Sequence, residues 1–565
     1  MRTLAKILPT HRRWSRAIWL VVCIISLSGI AACGRQLQPI PASTEASAVA
    51  SLSDLPKYVE SADLAQLGQV AGYGRGAAFS DVDGDGWDDL FVTDTDSRFR
   101  GETPGISLLY INQRDGTFRP TDAGFAEADL LGTWVASFAD YDNDGDPDVM
   151  LGNGGYTVGS SLVLYENRMS TFGRFVNVTD ASGVAASDPA ATASGWWGVA
   201  WADYDGDGWL DVVATRTMTT APGYNRPLLF RNNGDGTFEE LAVAVGVLGA
   251  DALDAKNPVW LDYDADGDQD LYLAGVDAHA FYENVGGGTF QDVTSSIFDL
   301  RLETEAEELW PGVFSAAAAD FDQDGRVDLY LGRWDFQDYV LFNDGDGSFT
   351  AHGAEAGLDA GQRLVDREGD YENTMGLGVG DLYDDGLPDV VVGSGTPELA
   401  GPDIVYCNRG GRQFARCTDA FVEADDSHRE TRGHAPIFAD VDQDGRTDLF
   451  WNLGGHPDVD EKSGSDSREV NKFFRLSVTE SADTATLRLE GTSSNRDAIG
   501  AKVTVRGSDT RHYWVRSTQG FQGQNSQALI LSLGDVDSAP VRVDWPSGNV
   551  STLTVRRGER IRLVE

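Results

Sequence analysis

At intervals of 58 to 63 residues, the chain writes Asp-x-Asp-x-Asp-Gly-x-x-Asp seven times. The copies begin at Asp81, Asp140, Asp203, Asp262, Asp320, Asp381 and Asp440. Of the 28 first, third, fifth and ninth positions, 27 are Asp, and Tyr383 is the exception. A fixed period of this length marks one supersecondary unit that cannot bury its apolar face alone, so the units must stack or close into a ring.

The spacing is that of an oxygen-ligand cation loop. Residues 1, 3 and 5 point inward, Gly at 6 makes the turn, and position 7 offers only its backbone carbonyl. Position 7 keeps no chemical type (Trp87, Asp146, Trp209, Asp268, Arg326, Leu387, Arg446), as a carbonyl ligand allows. The expected ligands are therefore Asp81, Asp83, Asp85, Trp87 and Asp89 in the first loop, and Asp140, Asp142, Asp144, Asp146 and Asp148 in the second. They are Asp203, Asp205, Asp207, Trp209 and Asp211 in the third, and Asp262, Asp264, Asp266, Asp268 and Asp270 in the fourth. The fifth has Asp320, Asp322, Asp324, Arg326 and Asp328, and the seventh Asp440, Asp442, Asp444, Arg446 and Asp448. The sixth keeps Asp381, Asp385, Leu387 and Asp389 but has Tyr383 at position 3, with Asp384 out of register, so it is expected to bind poorly or to recruit water.

Charge supports the same assignment. Two carboxylates about 4 Å apart repel by roughly 4 kcal/mol at an effective dielectric near 20, so four in one loop need a divalent ion. All-oxygen hard ligands favour calcium over magnesium. The position 12 Glu of a helix–loop–helix site is absent. Apolar runs such as Asp211-Val-Val-Ala214 follow instead, so each loop connects two strands.

Each acidic loop is preceded by a small-residue strand, such as Gly198-Val-Ala-Trp-Ala202 or Ala316 to Ala319, suited to a crowded axis. Each unit is expected to have an aromatic hairpin 20 to 35 residues later, such as Leu229-Phe-Arg-Asn-Asn-Gly-Asp-Gly-Thr-Phe238. Four short strands per unit, repeated seven times, predict an all-β, seven-bladed β-propeller over 57–478. These residues resemble the FG-GAP/VCBS repeats of integrin α-subunit propellers and their bacterial relatives over about 75–470.

Residues 479–565 are expected to form a small β-sandwich-like domain. From 486 onward they hold 11 Lys/Arg against 8 Asp/Glu and no acidic loop, with half-exposed strands at Ala501–Arg506 and Val541–Trp545. Gly491-Thr-Ser-Ser-Asn-Arg-Asp-Ala-Ile-Gly500 and Gly520-Phe-Gln-Gly-Gln-Asn-Ser526 resemble the ASPIC/UnbV domain. The order of repeats and module resembles the cartilage acidic protein family and its bacterial homologues. The resemblance implies an extracytoplasmic calcium-binding protein and no enzymatic reaction for the module. Asn495, Arg496, Asp497, Gln524, Asn525 and Ser526 are either a binding surface or turn residues.

The N-terminus reads as a lipoprotein signal peptide over 1–32: a basic region (Arg2 to Arg16), an apolar stretch too short to span a bilayer, then Ile30-Ala31-Ala32 before the lipid acceptor Cys33. Residues 33–56, rich in Ala, Ser, Pro and Gln, read as a tether. Removing 1–32 takes away five basic and no acidic residues, leaving (44 − 5) − 90 = −51. That field excludes nucleic acid as a partner and suits a calcium-rich place outside the cytoplasm. The expected location is the bacterial cell envelope, periplasmic or surface-exposed, on the outer membrane of a Gram-negative cell. Cys407 and Cys417 flank a Gly-Gly turn and can pair in such a compartment.

Loops entering the inner strands carry Arg75, Trp134, Trp196, Trp197, Asn257, Trp310, Asn373 and His434. Converging on a channel mouth, they suit a glycan or peptide ligand; alternatively the tryptophans seal neighbouring blades. No nucleophile elbow, HExxH or phosphate loop is present. The sequence thus points to a lipid-anchored, monomeric binding or scaffold module with up to seven structural calcium ions and a protein or glycan ligand. A polysaccharide lyase or hydrolase using the channel mouth is the alternative.

Overall fold

The computed structural model describes residues 55–565 apart from 63–64, 66, 68–71, 95–106, 131, 155–160, 186–194, 217–225, 249–252, 277, 298–311, 335–336, 360–372, 396–399, 423–429, 456–467 and 479–481. The expected signal peptide, Cys33, nearly all of the tether, and Trp310 lie outside the described residues.

Each repeat folds into an antiparallel sheet with its strands in chain order. In the third, Trp196–Ala202 pairs with Asp211–Arg216, then Leu228–Asn232 and Phe238–Glu240 follow. The acidic loop joins the first strand to the second, as its sequence requires. Among the described residues, seven such sheets form, with first strands Gly74–Ser80, Thr133–Ala139, Trp196–Ala202, Ala255–Leu261, Val313–Ala319, Thr374–Gly380 and Gly433–Ala439. Successive first strands lie side by side, and Gly433–Ala439 lies against Gly74–Ser80, so the circuit closes. This is the arrangement of a β-propeller.

The apolar cores sit between consecutive sheets. One joins Phe91 and Leu109 of the first to Phe138 and Val149 of the second; another joins Ile437 and Phe450 of the seventh to Phe79 and Leu90 of the first. Strands are therefore buried on both faces, which explains their unbroken apolar runs: all six residues of Asp211–Arg216 are buried. Near the axis, small side chains are compulsory. A Cβ on Gly198 would come 2.9 Å from the Lys256 carbonyl oxygen, and one on Gly376 only 1.7 Å from that of His434.

The seventh sheet is composite. Gly433–Ala439, Asp448–Leu453 and Lys472–Ser477 are completed by Lys57–Glu60 from the start of the described chain, antiparallel to Lys472–Ser477. Contrary to the expectation of a hairpin in every unit, the unit after Asp440 has no Asn/Asp-Gly hairpin of its own; Lys57–Glu60 takes the fourth place, and Phe421–Val422 pairs parallel to it at the edge.

The C-terminal region forms two sheets. One orders Leu529–Ser532, Thr484–Glu490 and Arg560–Val564; the other orders Thr510–Trp514, Lys502–Arg506, Ser538–Asp544 and Val550–Arg556. Ala539, Val541 and Val543 are buried while Ser538, Pro540 and Arg542 face out, matching the half-exposed alternation expected for this strand. Between Trp514 and Leu529 the chain leaves these sheets and enters the ring. Gly523–Gln524 adds a parallel strand beside Gly74–Ser80, with Ala77 opposite Gly523 and Ala78 opposite Gln524. Repeats and module belong to one compact unit, Ala50–Glu565.

Candidate metal centres and a filled channel

The seven acidic loops share one geometry. The glycine at position 6 has φ between 78° and 99°, the left-handed region where a Cβ is penalised. Its N–H donates to Oδ2 of the first aspartate at 2.7 to 3.2 Å in every loop. The residue at position 7 donates its N–H to Oδ1 of the fifth-position aspartate at 2.9 to 3.0 Å. Its side chain is uninvolved in that bond, so its identity is free to vary.

The ninth-position aspartate is bound to the backbone on both sides. Its Oδ2 accepts the N–H of loop residue 2 in all seven copies, as Val82 to Asp89 at 3.1 Å and Phe321 to Asp328 at 2.8 Å. In the first six its Oδ1 accepts the N–H of an asparagine ending the third strand: Asn112, Asn167, Asn232, Asn284, Asn343 and Asn408. One carboxylate thus ties loop to hairpin.

After these bonds, oxygens remain without partners. Oδ1 of Asp81, Asp205, Asp262 and Asp440 is buried and accepts no hydrogen bond. Ligand atoms of Asp81, Asp83 and Asp85, of Asp140, Asp142 and Asp148, and of Asp203, Asp205 and Asp211 converge within 4.8 Å, as do those of Asp262, Asp264 and Asp270 and of Asp320, Asp322 and Asp328. Burial, reinforced by neighbouring carboxylates, pushes Asp89 and Asp270 up to about 8 and Asp320 up to about 7. A cation among these groups would offset the cost of keeping them ionised. The donor set therefore fits a hard divalent metal ion.

The sixth loop differs as its sequence suggests. Tyr383 packs its ring edge-on to Tyr58 with centroids 5.9 Å apart. Asp384 sits at position 4 with φ 59°, and its Oδ2 pairs at 2.9 Å with Arg446 of the next loop. It does not replace the missing third-position ligand.

Each hairpin asparagine is also an inter-sheet staple, which sequence reasoning missed. Its Nδ2 donates to the carbonyl of loop residue 2 in the preceding sheet, from Asn167 to Val82 at 2.9 Å and Asn232 to Tyr141 at 2.8 Å. Nδ2 donates as well to the position 8 carbonyl of its own loop, from Asn167 to Pro147 at 3.0 Å and Asn232 to Leu210 at 3.1 Å. Asn112 reaches the Val441 carbonyl of the seventh sheet at 2.9 Å, joining the ring's ends. The signal was present: six hairpins carry Asn at that place, and the seventh unit has none.

The residues expected at a ligand mouth are packed together. Arg75, Trp134, Trp197 and His434 are all buried. Trp134 and Trp197 meet edge-to-face with centroids 4.4 Å apart, the Arg75 guanidinium lies 5.4 Å over Trp134, and Arg75 contacts the His434 ring. Phe521 of the C-terminal region completes this cluster with Phe314 and Met375. The described side chains thus form one buried cluster that joins several sheets, the packing role that the alternative gave to the tryptophans.

What fills the channel is the segment Arg516–Ser526. Gln524 Oε1 accepts the Phe138 N–H at 2.7 Å and its Nε2 donates to the Phe138 carbonyl at 2.9 Å. Asn525 accepts from the Phe438 N–H at 3.1 Å and donates to Val379 at 2.9 Å. Ser517 accepts from the Trp201 N–H at 2.9 Å and donates to the Trp201 carbonyl at 2.8 Å. The Gln524 and Asn525 side chains thus satisfy inner-strand backbone that faces the axis, while the Ser526 hydroxyl donates to Asp88 at 2.7 Å and accepts the Ala528 N–H at 3.0 Å. Asn495 is likewise buried, paired to Ile499 within its own loop. Cys407 and Cys417 are joined in a disulfide across the outer hairpin of the sixth sheet, with Cα atoms 5.9 Å apart.

Comparison with known proteins agrees with this construction. The FG-GAP-like repeat model matches residues 81–151, 262–331 and 381–451, and the ASPIC and UnbV model matches 491–565. Cartilage acidic protein 1 of Mus musculus is 25% identical over 424 residues, covering 72% of this chain and 58% of the relative. Its Homo sapiens counterpart is 25% identical, covering 72% and 56%. The chain thus spans little more than half the length of these relatives, and neither matched family is an enzyme family. Among solved structures, an Agrocybe aegerita lectin recognising non-reducing terminal N-acetylglucosamine is 20% identical, covering 61% of this chain and 80% of its own at a TM-score of 0.37. A Trypanosoma rangeli sialidase with sialic acid is 10% identical, covering 72% and 60% at 0.35. Scores this low carry no argument about ligand or reaction. The chain carries FG-GAP-like repeats followed by an ASPIC and UnbV domain, and is homologous to cartilage acidic protein 1.

Proposed function

We propose that the protein is an extracytoplasmic calcium-binding propeller of seven blades that serves as a binding or scaffold module for a protein or glycan ligand. It is held at the bacterial cell envelope by a lipid on Cys33. The ions are structural. The observation that carries this reading is the set of buried, unpartnered first- and third-position oxygens in loops whose other carboxylate oxygens are held by backbone N–H groups and by arginines such as Arg231 on Asp205. A cation bound there is enclosed by protein ligands, and its binding energy goes into holding strands together.

A reaction at the channel mouth fits less well, because Phe521 and the tryptophans occupy that volume. Ligand contact then falls to the rim and outer faces of the ring, where a protein or glycan can bind without entering the axis. The test is thermal unfolding of the mature chain in EDTA and after calcium is restored, followed by glycan- and protein-array binding. Calcium should raise the melting temperature and magnesium should raise it less. An unmoved melting curve sinks the metal assignment, and new reducing ends from a polysaccharide panel would favour the enzymatic alternative.

A further inference from the structure

The ASPIC and UnbV module stands on the acidic loops themselves. Arg488 pairs with Oδ2 of Asp81 at 2.9 Å, and Arg560 with Oδ2 of Asp440 at 2.6 Å. In both aspartates the other oxygen, Oδ1, is the buried atom without a partner. Each arginine, together with the position 6 N–H, therefore fixes one carboxylate oxygen and leaves its twin for a cation. Elsewhere the module rests on loop backbone. Thr484 Oγ1 donates to the Gly445 carbonyl at 2.6 Å, Lys502 donates to that of Gly325, and Arg511 donates to that of Asp385 at 3.2 Å. Asp497 accepts the Asp140 N–H at 2.9 Å. Five of the seven loops are thus part of the module's seat.

We propose that this seat is calcium-dependent, so that cations in the loops hold the module down and keep its segment Arg516–Ser526 in the channel, and their loss withdraws the segment and opens the axis. The inference rests on the calcium reading given above. Its physical basis is that the module's partners are loop carbonyls and carboxylates in one fixed geometry. Without a cation the clustered carboxylates repel, the loops relax, and bonds that need that geometry weaken together. Linkage is reciprocal, so a docked module must in turn strengthen cation binding in the loops it touches. The segment is held in the axis by amide side chains and backbone pairing on inner strands and by the buried Phe521 ring, so it stays there only while the module that carries both of its ends is seated.

Hydrogen exchange of the mature chain, read by mass spectrometry in excess calcium and in EDTA, tests this below the temperature at which circular dichroism shows loss of sheet. Calcium removal should speed exchange in peptides covering 516–526 and at the Ala77, Phe138 and Phe438 amides by at least about tenfold, with outer-strand peptides changing much less. If EDTA lowers the melting temperature but the segment keeps its protection, the coupling is overturned while structural calcium stands. If calcium moves neither quantity, the metal reading falls and the coupling falls with it. As a second arm, R488Q combined with R560Q should raise exchange in 516–526 about threefold or more even in calcium, with the circular dichroism spectrum unchanged. Unchanged exchange in that variant would overturn the arginines' part in the latch.

Discussion

In six sheets, an asparagine from the same repeat donates to the position 8 carbonyl of its own loop and to the position 2 carbonyl of the loop before. In the seventh, the Tyr58 hydroxyl stands between the two equivalent carbonyls, Thr447 at 2.8 Å and Leu382, from a strand at the other end of the chain. The Tyr58 ring is itself locked, stacked on Phe421 with centroids 4.8 Å apart. The difference shows what a blade junction requires. It needs a buried donor between two carbonyls: an amide has an N–H for each, whereas the phenol has a single O–H to share between them. Where the repeat supplies its own donor, the junction forms locally; where it does not, closing the ring becomes a long-range event that couples the two ends of the propeller.

Chelation should have the largest effect, because it strikes all seven junctions whatever their donor. Each site filled at a hundred times its dissociation constant contributes about 2.7 kcal/mol, so EDTA should lower the melting temperature by on the order of 10 °C or more. The pH dependence should reverse as well. Without a cation, Asp89 and Asp270 titrate near 8 in the folded state, above their unfolded value, so the folded protein holds the extra protons. Stability in EDTA should then fall as pH rises from about 4 through about 8, whereas in calcium, whose ligands must be ionised, it should fall on acidification. Melting curves across that range in both buffers check the two signs.

Tyr58→Ala should come next, at about 3–5 kcal/mol, since it removes both the bridging hydroxyl and a buried ring. Tyr58→Phe, which keeps the ring, should cost about 1–3 kcal/mol. Asn232→Ala is the matched change in a self-contained sheet and should cost about 2–4 kcal/mol by leaving two buried carbonyls unpaired. Urea denaturation of these variants compares the junctions directly; if Tyr58→Phe were silent, the hydroxyl would not be equivalent to the amide. Cys407→Ser with Cys417→Ser opens a short loop in the sixth sheet and should cost about 2–3 kcal/mol by the same measurement. The smallest effect is expected for Tyr383→Asp, which restores the third-position ligand. It should raise the calcium stoichiometry by one, measured calorimetrically, with a stability gain of about 1–3 kcal/mol in saturating calcium.

Much of this was legible beforehand because it is local. The Asp-Gly spacing dictates its own turn, and all seven position 6 glycines take the expected left-handed φ. The alternation in Ser538–Asp544 and the hairpin around Cys407 and Cys417 likewise need only near neighbours. The channel was not legible. Arg75, Trp134, Trp197 and His434 are chemically suited to a ligand mouth, and nothing near them in sequence reveals that Phe521, from the C-terminal region, joins Trp134 and Trp197 in one buried cluster. Gln524 and Asn525 look like turn residues for the same reason: their partners, Phe138, Val379 and Phe438, belong to three different sheets.

By itself, then, the sequence determined the repeat, the turn geometry of its acidic loops, the one that departs from the pattern at Tyr383 and the β-class of the whole, since each depends on contacts within about ten residues. Tertiary structure alone decided which strand completes the seventh sheet, what carries the donor that six asparagines supply elsewhere, and that the axis is occupied by the chain's own C-terminal segment. Those outcomes depend on which unsatisfied backbone groups meet when the ring closes, and a buried carbonyl accepts any donor that reaches it, from whatever place in the chain.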